Sequence, residues 1–140
     1  MQTFGVATAR REELVDITAQ VADALRRTGL RDGAVLVYSP HTTAGVTINE
    51  GADPDVRRDM LLHLASLVPQ RSDFRHSEGN SDAHIKTSLM GPSQLVPVYD
   101  GRLQLGAWQH VYLCEFDGPR RRTVLVQPLA AFSGPEGEGA

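Results

Sequence analysis

Asp100-Gly101 stands between two short alternating runs, Leu95-Val96-Pro97-Val98-Tyr99 and Arg102-Leu103-Gln104-Leu105. A two-residue loop of this type needs positive φ at both positions, and its twist suits antiparallel strands, so the segment predicts a type I′ hairpin. Trp108 to Phe116 and Thr123 to Gln127 flank the turn Asp117-Gly118-Pro119 and read as a further hairpin. Upstream, Ala34 to Tyr38 reads as a buried strand stopped by Ser39-Pro40, Gly45 to Ile48 as another, and Thr3 to Ala9 as an edge strand.

Helices are fewer. Asp16 or Thr18 can cap one that runs through Val21, Ala24 and Leu25 and closes at Gly29. Asp53-Pro54-Asp55 gives a second its cap, its first-turn proline and an acid facing the positive dipole end. Val56, Met60, Leu64 and Leu67 form its apolar face, and Pro69 ends it. After a polar stretch from Gln70 to Ser81, a third is expected over Ala83 to Met90, capped by Asp82 or Ser81 and stopped by Gly91-Pro92. Hairpins with two to three helices predict an α+β fold of mainly antiparallel sheet.

The length of 140 residues suits one domain, expected over 1–132, with a flexible Gly- and acid-rich tail over 133–140. Fourteen basic against 17 acidic residues, net -3, supply no basic footprint for nucleic acid or a membrane surface. With no secretory signal and no run near the ~20 apolar residues of a membrane span, a cytoplasmic protein is expected. The lone Cys114 lies in an apolar run and reads as a buried thiol, and no intramolecular disulfide is possible.

Three histidines lie outside apolar runs. His41 follows the Ser39-Pro40 stop, His76 lies in the polar stretch and His84 opens the third helix. Imidazole suits zinc and similar ions, and three protein ligands leave a place for water or substrate. The spacing from His76 to His84 matches no standard zinc motif, and satisfaction by backbone carbonyls in loops or caps is the plainer alternative. Glu50 and Glu78 can act as general base or orient an imidazole. Thr42, Thr43, Asn49, Asn80 and Ser88 can donate to an anionic oxygen, and Gly79-Asn80-Ser81 precedes a helix N-terminus, where free N–H groups suit phosphate. Each of these singly is as well explained by capping or solvation. Asp53, Asp55 and Asp59 could mimic a magnesium cluster, but capping accounts for the first two.

His63 falls on the apolar stripe of the second helix and is expected in the core or at a subunit interface, and His110 at a site rim. Arg120-Arg121-Arg122 reads as a solvated hairpin edge that resists edge-to-edge pairing.

Four segments in order carry a resemblance: His41-Thr42-Thr43-Ala44 with Ile48-Asn49-Glu50, Asp53 to Asp59, Glu78 to His84, and Leu105-Gly106-Ala107-Trp108-Gln109. Together they resemble the YjbQ-like family, often labelled secondary thiamine-phosphate synthase. The resemblance implies a compact α+β fold with β-sandwich character and a homotrimer. It also implies a polar cleft with a divalent metal, commonly zinc with magnesium as the alternative, and room for a phosphate. His41, His76 and His84 would be the ligands, with Asn49, Glu50, Asn80, Ser88, Trp108 and Gln109 around them. His110 departs from the small or uncharged residue expected there.

A metal-dependent enzyme acting on a phosphorylated small molecule, with weak thiamine-phosphate synthase activity, is the leading expectation. Alternatives are a phosphoester hydrolase, or a trimeric binding protein for a metal or phosphometabolite without significant catalysis. A trimer is also expected from apolar strands, Ala34 to Tyr38, Trp108 to Phe116 and Thr123 to Val126, that exceed what one small sandwich must bury.

Overall fold

The computed structural model describes residues 1–134; the expected tail beyond Gly134 lies outside the described residues. The elements run β1 (Gln2–Ala7), β2 (Glu13–Asp16), α1 (Thr18–Thr28), β3 (Asp32–Tyr38), β4 (Ala44–Glu50), α2 (Pro54–Leu67), α3 (Ser81–Met90), β5 (Ser93–Tyr99), β6 (Arg102–Leu103), β7 (Gln109–Glu115) and β8 (Arg121–Ala130). Two antiparallel sheets result, β1-β8-β3-β5-β6 and β2-β7-β4. The α+β expectation holds, and β1 is an edge strand.

Local chemistry explains most boundaries. Asp100 (φ 51) and Gly101 (φ 72) both take positive φ, and Tyr99 pairs with Arg102 across them, the geometry of a type I′ hairpin. Gly29 closes α1 at φ 73, a left-handed position that costs an L side chain and not glycine. Asp53 accepts the Asp55 N–H at the start of α2. At α1 the cap is indirect: Asp16 accepts both the N–H and the hydroxyl of Thr18.

The principal core lies between the sheets and α1. Val35 and Val37 of β3, Val96 and Val98 of β5, and Val124 and Val126 of β8 meet Ala44, Val46, Val111 and Leu113, with Val21 and Leu25 closing one side. A second cluster covers the other face of the smaller sheet, where Tyr112, Cys114 and Phe116 pack on Leu64 and Ala83. Strand β7 is thus buried on both faces, which accounts for its unbroken apolar run. Helices α2 and α3 of the same chain supply that cover, so the run is no argument for a subunit interface.

Three expectations are corrected. Strands β7 and β8 are not a hairpin: β7 pairs with β2 and β4, β8 with β1 and β3, and Asp117-Gly118-Pro119 carries the chain from one sheet to the other. A Cβ on Gly118 would stand 2.2 Å from the Arg10 carbonyl oxygen, so the corner closes only around glycine. Helix α3 starts at Ser81, and Asp82 is no cap but a buried carboxylate facing Arg11 and Lys86. In α2 the packed residues are Met60, Leu61 and Leu64, while Leu67 is 60% exposed and His63 faces solvent, outside the core. No helix among the described residues is long and apolar enough to cross a membrane.

Candidate functional site

The turn from β3 to β4 places His41. Ser39 is buried there, donating to the Ala44 carbonyl, and Pro40 ends the strand. The His41 Nε2 accepts the backbone N–H of Thr123 in β8 at 2.9 Å, which puts the ring proton on Nδ1. Burial, and then the Arg122 guanidinium, push its pKa below the usual imidazole value. Folding thus favours the neutral ring, with Nδ1 carrying the proton and Nε2 occupied by the Thr123 N–H.

His76 and His84 arrive from the loop before α3 and from its first turn. Their rings meet edge to face, centroids 5.4 Å apart at 86°. Gly79, at φ 71, turns the loop so that its N–H reaches the His76 carbonyl and the chain enters α3 at Asn80. All three histidines line one polar cavity of about 430 Å³, with Thr42, Glu78, Asn80, Asp117, Arg120 and Arg122 on its walls. Larger clefts along α1 and beside α2 contain no histidine.

The walls are tied together by charge. Asn80 donates to Asp117 at 2.7 Å, and Asp117 also accepts from Arg120 at 3.0 Å. Burial alone would raise the Asp117 carboxyl, yet Asn80 and Arg120 hold it below the usual range. The donation to Asp117 fixes the orientation of the Asn80 amide, and its Oδ1 is then buried with no partner. Such an acceptor costs about 1–3 kcal/mol unless a donor or cation meets it.

Arg122 is not a solvated edge residue. It lies in β8 opposite Val6 of the edge strand β1, 5% exposed, with Glu115 at 0%. Its Nε donates to Glu115 Oε1 at 2.9 Å and its Nη2 to Oε2 at 2.5 Å, while Thr8 and Thr43 complete the set. The sequence reading missed this pair. A signal existed, since Arg122, Val124 and Val126 share one strand face by period two.

The expected site is divided. Asn49, Glu50, Trp108 and Gln109 gather at the far end of β4 and start of β7, where Glu50 pairs with Gln109. Seven strand residues separate that end from His41, roughly 20 Å at ~3.3 Å per residue. Glu50 therefore cannot serve the imidazole cavity within one chain; its carbonyl accepts the Tyr112 hydroxyl. Trp108 is 65% exposed, and the Gln109 side chain accepts the Gly106 N–H. Ser88 is exposed on α3, donating back to the His84 carbonyl, and is not among the cavity walls.

The donor types around the cavity suit a divalent metal, but their placement does not clasp one. Among the described residues, no three His, Cys, Asp or Glu side chains stand close enough to share an ion. His41 spends its Nε2 on Thr123. Among the described residues the three expected ligands line one cavity without standing as a close three-ligand set.

The family model described as UPF0047 protein YjbQ-like matches residues 2–131. UPF0047 protein YugU of Bacillus subtilis is 51% identical over 92% of this chain and 98% of its own length. A UPF0047 protein of Methanocaldococcus jannaschii is 50% identical over 89% and 90%. Among solved structures, an uncharacterized conserved YjbQ/UPF0047 protein of Clostridium acetobutylicum superimposes with TM-score 0.88 at 49% identity, covering 91% of this chain and 98% of that one. A conserved hypothetical protein of Thermus thermophilus gives 0.86 at 47% identity, covering 92% and 100%.

Proposed function

We propose, from the premise that this chain belongs to the UPF0047 YjbQ-like family, that its working site is the cavity of His41, His76 and His84. In this reading the cavity takes a phosphorylated small molecule together with a divalent cation, zinc or magnesium. The observation that carries it is the meeting of three imidazoles from three chain segments beside the buried, unpartnered Asn80 Oδ1. A core has no use for such a grouping, whereas a ligand donor or cation would satisfy it.

A cation bound here would neutralise phosphate charge. The chain's own groups do the rest. Asn80 Oδ1 accepts from a ligand hydroxyl, Arg120 faces its anionic oxygens, and Glu78, exposed on the rim, moves a proton. For His41 to share an ion with the other two rings, it must offer Nδ1 or release the Thr123 N–H. Thiamine-phosphate synthase activity is the specific reaction proposed, with phosphoester hydrolysis beside it. Metal analysis of the purified protein, with turnover of the pyrimidine diphosphate and thiazole phosphate precursors, tests this against a His84→Ala control. Turnover no higher than the control removes the synthase reading, and a phosphatase panel separates hydrolysis.

A binding role without catalysis is the second reading. It is favoured by the commitment of both cavity arginines to carboxylates, Arg120 to Asp117 and Arg122 to Glu115, which leaves few free groups to follow a reaction. Tight retention of phosphate and metal without turnover would support it. We also propose a homotrimer, supported by the exposed apolar pair Ile85 and Leu89 on α3 and by Leu95 and Tyr99 on β5. Sedimentation at micromolar concentration showing only monomer overturns that assembly.

A further inference from the structure

At the end of the smaller sheet remote from the imidazole cavity, His110 is held on three sides. Its Nδ1 lies 2.5 Å from Asp16 Oδ2. Its ring lies against the backbone of Gly51, where a Cβ would come within 2.2 Å of it. Asn49 is its cross-strand partner on β4, and directly opposite residues of an antiparallel pair share a face. Asp16 is fixed in turn, since its other oxygen accepts from the hydroxyl and N–H of Thr18. Burial would raise the Asp16 carboxyl, but Thr18 and then His110 hold it below the usual range, so it stays a carboxylate. Nε2 makes no hydrogen bond among the described residues, and the His110 side chain is 38% exposed. Along the same face Arg57 stands 5.5 Å over the Tyr112 ring.

We propose that Asp16 and His110 form a second reactive site, a proton-accepting dyad for a small hydroxylated anion held by Arg57 and Asn49. Asp16 is the positioning residue: it keeps the ring proton on Nδ1 and balances the imidazolium. Nε2 takes a proton from a water as that oxygen bonds to the phosphorus of a phosphate monoester and the bond from phosphorus to the ester oxygen breaks. The proton then passes from Nε2 to the departing alkoxide, so inorganic phosphate and an alcohol leave and no other acid or base is consumed. The site shares no residue with the imidazole cavity, and it stands or falls without it.

Carbethoxylation by diethyl pyrocarbonate, followed residue by residue by peptide mass spectrometry, reads the nucleophilicity of each imidazole. The solvent-facing His63 is the internal reference within the same sample. The expected result is several-fold faster labelling at His110 than at His63, although His110 is the less exposed ring. Asp16→Asn should bring His110 to or below the His63 rate, and so should Gly51→Ala, which displaces the ring without touching its charge. Glycerol phosphate should protect His110 and not His63, and Arg57→Gln should abolish the protection. His110 labelling no faster than His63 in the unaltered protein overturns the dyad, a result that needs no variant to fold. Equal labelling with and without glycerol phosphate overturns the assigned ligand class, and the proposal with it.

Discussion

Arg122 and Glu115 face each other across the gap between the two sheets, joined by two parallel hydrogen bonds of 2.9 and 2.5 Å with both side chains out of solvent. The pair closes the end of the inter-sheet core where β7 leaves the smaller sheet and β8 enters the larger one. Its guanidinium also walls the imidazole cavity and depresses the His41 pKa. One ion pair thus joins the two sheets and forms part of the candidate site's wall, where burial first and then its guanidinium lower the His41 pKa.

Removing one partner leaves the other charge buried and unpaired. Glu115→Ala is expected to destabilise the fold by about 3–5 kcal/mol, and Glu115→Ala with Arg122→Met by clearly less. Denaturant midpoints of the single and double variants measure the difference.

Metal binding at the proposed site should weaken in mild acid. His41 has a folded pKa below its unfolded value, so the neutral ring is favoured by folding and acid works against it. The sign is that stability and coordination are fully present above the unfolded value of ~6.5 and are lost as pH falls toward the folded one. Zinc titrations at pH 7.5 and pH 5.5 test this, with weaker binding expected at the lower pH. His41→Gln should flatten the dependence.

Lys86 is buried to 1% exposure with Glu12 at 2.5 Å and Asp82 at 3.1 Å, and Arg11 completes the cluster on Asp82. The group pins α3, and with it His84, to the loop before β2. Asp82→Ala should cost about 1–3 kcal/mol, because the buried ammonium keeps only Glu12 and Arg11 loses its two-pronged carboxylate. Hydrogen exchange should then show α3 opening before the sheets do.

Gly118→Ala should destabilise by about 1–3 kcal/mol, because its methyl meets the Arg10 carbonyl oxygen of a fixed backbone. Gly29→Ala, at positive φ but with nothing within 4 Å of the added carbon, meets only the backbone cost and should lose less. Thermal unfolding of the two variants side by side checks the ranking.

In acid the carboxylates add a shared effect. Glu115, Asp82 and Asp117 are each pushed up by burial and held below the usual range by their cationic or amide partners. Their stabilisation is present above the ordinary carboxylate range and is lost as pH falls through the depressed values. Unfolding by acid should therefore begin below about pH 4, and Glu115→Gln should shrink the acid-dependent part of the denaturation midpoint.

Much was legible along the chain because it depends on near neighbours. The Asp100-Gly101 turn, the Gly29 closure and the Asp53 cap each concern a few consecutive residues, and each is where local chemistry puts it. The histidine candidates were legible too, as imidazoles at a strand stop, in a polar stretch and at a helix start. Strand β2 was not, since Glu13–Asp16 is four residues whose strand character comes from pairing with β7.

The sequence by itself determined most of the elements, the antiparallel class and the three imidazoles as candidates. Tertiary structure alone decided that β7 and β8 part at Gly118, that Arg122 is buried on Glu115, and that Asn49 and Glu50 stand a strand's length from His41. The reason is the range of the forces. Backbone propensity and capping act within a turn or two, whereas the partner of a buried charge is chosen by which strand faces it after the sheets close.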